Sequence, residues 1–205
     1  MFAGLGNFLL DLLINKYNRY MLDIEKIKET MQKPRFSKMV ARYQFLIENL
    51  HKVDISKHEV FQRTYNCFFQ LRRNEEYRRQ HFAFMEKHKA NKSIRFQEIL
   101  IFLSGIQDTV EASFASKMLS IINPDMPVLD SKVLFKLGLK KPAADCPTKL
   151  QDTVELYNKI CEWYTEFYCK ADFKNWIKLF DGYYQNSGIS AAKKVDFVLW
   201  QMDNE

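Results

Sequence analysis

The sequence predicts an all-α protein of about nine helices, with no sheet. Three observations carry this. Apolar residues recur at three- and four-residue spacing along nearly the whole chain, and no stretch alternates apolar with polar. Only 6 Gly and 5 Pro occur in 205 residues, few for a turn-dense β protein. Most apolar stretches are also bounded by residues that cap or break helices. With 47% hydrophobic and 15% aromatic residues the chain is too apolar to be disordered. Its length suits one domain, or two small lobes sharing a core.

The first apolar series, Leu9, Leu12, Leu13, Tyr17, Tyr20, Ile24 and Ile27, predicts one long helix or two with a bend, ended by Gln32-Lys33-Pro34. Phe36, Met39, Val40, Tyr43, Phe45, Leu46 and Leu50 give the next helix, and Asp54-Ile55-Ser56 breaks the pattern. Val60, Phe61, Thr64, Cys67, Phe68 and Leu71 lie on one helical face, closed or bent at Arg72-Arg73-Asn74. Tyr77, His81, Phe82 and Met85 continue on another, followed by a polar, basic loop over residues 87–93. Phe96, Ile99, Leu100 and Leu103 form a short helix that Ser104-Gly105 should stop. Asp108-Thr109-Val110-Glu111 reads as a capped start, with Glu111 placed to reach back to the cap. Phe114, Met118, Ile121 and Ile122 make its buried stripe, and Asn123-Pro124 ends it.

Pro127-Val128-Leu129-Asp130 then leads into a helix of about two turns. Asp130 is a strong N-cap, because its carboxylate can accept from the unpaired N–H groups of the first turn. Val133, Leu134 and Leu137 form its apolar side, and Gly138 suits the left-handed residue that follows. Residues 140–147 form a loop. Thr148-Lys149-Leu150-Gln151 reads as a capping box for a helix carrying Val154, Tyr157, Ile160, Cys161 and Tyr164. Phe173, Trp176, Ile177, Phe180 and Tyr184 mark another helix, ended by Asn186-Ser187-Gly188. Ser190 caps a last one with Val195, Val198, Leu199 and Met202. No repeat or low-complexity tract occurs.

The net charge is +6. Residues 57–95 hold Lys57, Arg63, Arg72, Arg73, Arg78, Arg79, Lys87, Lys89, Lys92 and Arg95 against Glu59, Glu75, Glu76 and Glu86, so this stretch alone matches the excess. Concentrated positive charge suggests a polyanion such as DNA; the plainer reading is a solvated helix surface. Arg72, Arg73, Arg78 and Arg79 are the candidate phosphate contacts. Lys132 could reach a phosphate or pair with Asp130. Cys67, Cys146, Cys161 and Cys169 form no C-x-x-C pair and match no zinc spacing, so reduced thiols in a cytoplasm are expected, with Cys67 and Cys161 in the core. The four His are too scattered for a metal site, and no cofactor is expected. The segment Met1–Leu10 is neither a signal peptide nor a membrane span, since Asp11 and Asn15 interrupt it and no basic start precedes it.

Leu103-Ser104-Gly105-Ile106-Gln107, an amphipathic helix, Pro127-Val128-Leu129-Asp130-Ser131-Lys132-Val133 and Lys136-Leu137-Gly138-Leu139 form a series. It resembles the helix-hairpin-helix DNA glycosylases of base-excision repair, whose pattern is an L-P-G-[VI]-G hairpin, a helix, and a V-D-T-H-V segment leading to R-L-G-L. The run Tyr65-Asn66-Cys67-Phe68-Phe69-Gln70-Leu71-Arg72-Arg73-Asn74, together with Glu111-Ala112-Ser113-Phe114-Ala115-Ser116-Lys117-Met118-Leu119, is similar to a group of bacterial proteins that looks like a divergent branch of that fold. The direct resemblance covers about a fifth of the chain and implies two helical lobes. These would be residues 35–139, and residues 1–34 with 140–205.

The resemblance further implies that Asp130 is a catalytic acid at the mouth of a cleft, offsetting positive charge on a sugar or activating water. It implies DNA as partner, with Gly105 at the backbone-binding hairpin. Ser104 and Gln107 replace the hairpin's Pro and second Gly. The Schiff-base Lys of the lyase-type members falls on Thr109 when aligned from the hairpin, and on Glu111 or Ala112 when aligned from Asp130; Lys117 comes a turn or more later. The iron–sulfur cysteines are absent. The expected activity is therefore a monofunctional DNA N-glycosylase. The alternative is a module that keeps the fold and binds nucleic acid or protein without catalysis, in which Asp130 is an N-cap alone.

Overall fold

The computed structural model describes residues 24–202. Most of the helix expected from Phe8 onward lies outside these residues. The described residues form ten helices and no strand. Helices α1 (Ile24–Gln32) and α2 (Pro34–Asn49) meet at a bend, where Pro34 occupies the first turn of α2 and needs no N–H partner. Helix α3 (Glu59–Phe69) starts at His58, whose Nδ1 accepts from the Phe61 amide at 3.1 Å. It ends at Gln70, a left-handed residue with φ 54°. Helix α4 (Glu75–His88) is capped by Asn74, which accepts from the Tyr77 amide at 2.8 Å. Helices α5 (Phe96–Gln107) and α6 (Ala112–Ile122) form the most extensive helix–helix interface. The short α7 (Ser131–Lys136) is followed by α8 (Lys149–Tyr168), α9 (Phe173–Tyr183) and α10 (Ala191–Gln201).

Three local expectations change. Helix α5 does not stop at Ser104-Gly105; Gly105 has helical backbone, and the left-handed turn falls instead on Asp108, φ 52°. Asp108 therefore closes α5 rather than capping α6. Glu111 does not reach back to it, because its carboxylate is taken by Arg73. Thr148 sits ahead of α8 without a cap bond to the backbone; its hydroxyl donates to Asp152 at 2.9 Å. At Glu111 and Thr148 the expected cap bond is replaced by a side-chain partner, Arg73 and Asp152.

The packing has two neighbourhoods. Helices α1, α2, α9 and α10 pack on one another, while α5 packs on α4, α6 and α8. Helix α3 packs on α2 and α7 on α10, and one continuous apolar core runs from Ile27 to Met202. Phe36, Tyr43, Phe68, Phe197 and Trp200 form an aromatic chain through it, with centroids 5.3–6.3 Å apart. His81 is fully buried. It meets the Tyr65 hydroxyl at 3.1 Å, and burial pushes its pKa down to about 3. It is a neutral core residue. Cys67, expected in the core, is exposed. Among the described residues no helix is long and apolar enough to cross a membrane.

Candidate functional site

The Asp130 turn is built as the local pattern requires. Oδ1 of Asp130 accepts from the amides of Lys132 and Val133, both at 3.0 Å. At the other end Gly138 adopts φ 67°. The Leu139 amide returns to the Leu134 carbonyl at 2.9 Å and the Gly138 amide to Phe135 at 3.2 Å, a complete Schellman stop.

The segment leading to Asp130 is held by side chains from three helices. Tyr157 of α8 donates to the Pro127 carbonyl at 3.0 Å. Asp196 of α10 accepts from the Val128 amide at 3.4 Å. Ser116 of α6, fully buried, accepts from the Leu129 amide at 2.9 Å. An extended segment cannot pair its own backbone, so each buried peptide group needs such a partner. The result fixes the direction in which Asp130 leaves the core.

Asp196 is itself part of a buried ion pair. Its Oδ2 accepts from Lys193 Nζ at 2.6 Å, both side chains being fully buried, and its Oδ1 accepts from the Tyr164 hydroxyl at 2.5 Å. Burial pulls Lys193 down and Asp196 up from their ordinary pKa values, each opposed by the charge of the other. The Lys193 ammonium also lies 5.5 Å from the Trp200 ring and 5.6 Å from the Tyr43 ring.

Asp130 opens onto a cleft of about 490 Å3. Its apolar lining includes Phe68, Phe69, Phe114 and Trp200, and its cations are Arg35, Arg42, Lys117, Lys132 and Lys141; among the described residues Asp130 is the one carboxylate that lines it. Three of the cations are oriented by backbone carbonyls. Lys117 donates to Phe69 at 3.1 Å, Lys132 to Trp200 at 2.8 Å and Arg35 to Gln201 at 3.0 Å. These are the C-terminal carbonyls of α3 and α10, which carry partial negative charge. A neutral carbonyl directs a cation without cancelling its charge, so Lys117 and Lys132 bring positive charge to the cleft. Burial pushes the Lys117 amine below its ordinary pKa, and the nearby Asp130 carboxylate opposes that shift.

The structure thus places Asp130 and Lys132 in one cleft. Arg73 lines a second cavity of about 400 Å3 beside it, where its Nη2 pairs with the buried Glu111 at 2.9 Å. Arg72, Arg78 and Arg79 line neither cavity, and Gly105 lies on exposed helix surface. Arg79 pairs with Glu76 at 2.7 Å. Sequence reasoning missed Arg35, Arg42, Lys141 and Trp200 as cleft residues. It set Lys117 aside because of its distance from the hairpin, yet α6 brings it to the same cleft as Asp130. Among the described residues no three His, Cys, Asp or Glu side chains converge as a metal site. No family model, curated protein or solved structure matches the chain.

Proposed function

We propose that the cleft binds a strand of DNA and that Asp130 acts there on the glycosidic bond of an extruded nucleotide, as in a monofunctional N-glycosylase. One observation carries this: the Asp130 carboxylate lies in a cleft that five cations and an aromatic lining share. The cations suit phosphates and the rings suit an unstacked base. In the reaction the bond from C1′ to the base nitrogen breaks. Its electron pair leaves with the base, which takes up a proton. Asp130 offsets the positive charge that develops on the sugar, water oxygen bonds to C1′, and the water's proton passes to Asp130 or solvent.

Lys117 favours a second reading. A lysine amine whose pKa is lowered by burial is a better nucleophile at neutral pH, and this one shares the cleft with Asp130. It would attack C1′ in place of water and expel the base; the C1′–O4′ bond then opens, O4′ takes up the proton that the amine loses, and an imine is left on the enzyme.

The test is base release from duplexes carrying uracil, an alkylated purine or 8-oxoguanine. Asn caps a helix about as well as Asp, so Asp130→Asn keeps the fold and removes the charge. Release by the wild type that is lost in Asp130→Asn supports the proposal. Equal behaviour of the two on every lesion overturns it, leaving the non-catalytic binding module. A borohydride-trapped adduct that disappears in Lys117→Gln selects the second reading over the first.

A further inference from the structure

The second cavity takes no part in the chemistry above. Its apolar walls are Val110, Phe114, Leu129 and Leu156. Three cations, Arg73, Lys141 and Lys149, line it against one carboxylate, Glu111. That carboxylate is already engaged: it accepts from Arg73 Nη2 at 2.9 Å and 3.2 Å and from the Thr109 hydroxyl at 3.0 Å, and it is only 6% exposed. Arg73 and Glu111 offset one another, and Lys141 and Lys149 leave the described lining with an excess of positive charge. An anion is the ligand such a lining favours.

The two cavities are neighbours. Ser113, Phe114 and Lys141 line both. The Arg73 guanidinium lies 5.2 Å from the Phe114 centroid and the Lys117 ammonium 5.4 Å from it. Arg73 belongs to the second cavity alone and Lys117 to the cleft alone. Phe114 is thus a partition between two cationic compartments, and Lys141 is common to them. A single phosphate needs one such compartment. A strand needs them repeated along its length.

We infer that the second cavity is a phosphate subsite continuous with the cleft, so that the ligand is a strand of nucleic acid crossing from Lys132 past Phe114 and Lys141 to Lys149. This rests on the reading of the cleft as a nucleic-acid site, and the experiment separates the two. Fluorescence anisotropy measures the binding of a labelled dithymidylate and of a longer oligothymidylate, over a range of salt, to the wild type, Lys149→Gln and Arg42→Gln. Lys149 reaches only the Ala144 carbonyl, at 3.4 Å, so its loss leaves the fold intact.

Arg42→Gln should weaken both ligands. Lys149→Gln should leave the dinucleotide unchanged, weaken the longer strand severalfold, and reduce its salt slope by about 0.7, the value for one phosphate on a single strand. If Lys149→Gln matches the wild type on the longer strand while Arg42→Gln weakens it, the subsite is refuted and the cleft reading stands. Equal weakening of both lengths by Lys149→Gln also refutes a separate subsite. If Arg42→Gln changes neither ligand, the cleft reading fails and takes the subsite with it.

Discussion

Two regions of this molecule are rich in cations, and they differ in what those cations face. Along residues 57–95 the partners are acids. Lys57 pairs with Asp54, Arg63 with Glu59, Arg73 with Glu111, Arg79 with Glu76, Lys89 with Glu86 and Arg95 with Glu98. Six of the ten cations are neutralised in this way, and Asp54, Glu98 and Glu111 lie outside the stretch whose charge was counted. In the cleft, Lys117 and Lys132 face helix-terminal carbonyls instead, and among the described residues a single carboxylate lines the same space. Most of the charge dense in sequence is paired with acids; the lysines that the fold brings to the cleft, Lys117 and Lys132, meet carbonyls. An electropositive site is therefore better sought among cations with neutral partners than among runs of basic residues.

The contrast is sharpened first by removing what holds the cleft. Asp196→Ala strands the Lys193 ammonium in the core and should cost roughly 3–5 kcal/mol in denaturant unfolding. The double variant Lys193→Met/Asp196→Leu should recover only part of that loss, because the Val128 amide and the Tyr164 hydroxyl still lack their acceptor. If Asp196→Ala unfolds like the wild type, the buried pair does not support the Asp130 segment.

Next comes the inner face of the basic stretch. His81 titrates at about 3 in the fold, below its ordinary 6.5. As pH falls below 6.5 the unfolded chain takes up a proton that the folded one refuses. Stability should then fall by about 1.4 kcal/mol per pH unit down toward pH 3. Comparing unfolding at pH 6 and pH 5 checks this, and His81→Phe should flatten that slope whatever it does to absolute stability.

A smaller effect separates the cap from the chemistry at Asp130. Asp130→Ala should lose about 1 kcal/mol of thermal stability and Asp130→Asn almost none. Equal losses would mean that the two amide bonds at Oδ1 do not hold α7. Smallest of all, Arg79→Gln should leave stability unchanged, because its partner Glu76 is an exposed neighbour one turn away.

The elements most legible in the sequence are those specified within a few residues. Asp130 and Gly138 bound α7 as expected, since cap and stop are local hydrogen-bond problems. Ser190 caps as expected, while Asn74, read as closing or bending a helix, also caps the next one. The end of α5 was misread because Gly105 tolerates helical backbone and Asp108 accepts the left-handed turn. The cap at Glu111 was misread because its partner, Arg73, lies 38 residues away. The cleft cations were illegible for the same reason: nothing near Arg42 or Lys117 in sequence shows that α2, α6 and α10 converge on Asp130. Tertiary pairing, which outcompetes local propensity, leaves no periodic trace.

A polyanion bound in the cleft, as proposed, should not depend on the basic stretch. Titrating a labelled DNA duplex at fixed salt with two double variants decides this, Arg42→Gln/Lys132→Gln in the cleft and Arg72→Gln/Arg79→Gln on the stretch. Each removes two positive charges, so net charge alone predicts equal losses. The cleft variant should lose most of its affinity and much of its salt dependence while the stretch variant binds nearly as the wild type. Equal losses, or a larger loss in the stretch variant, would rule the cleft out as the polyanion site.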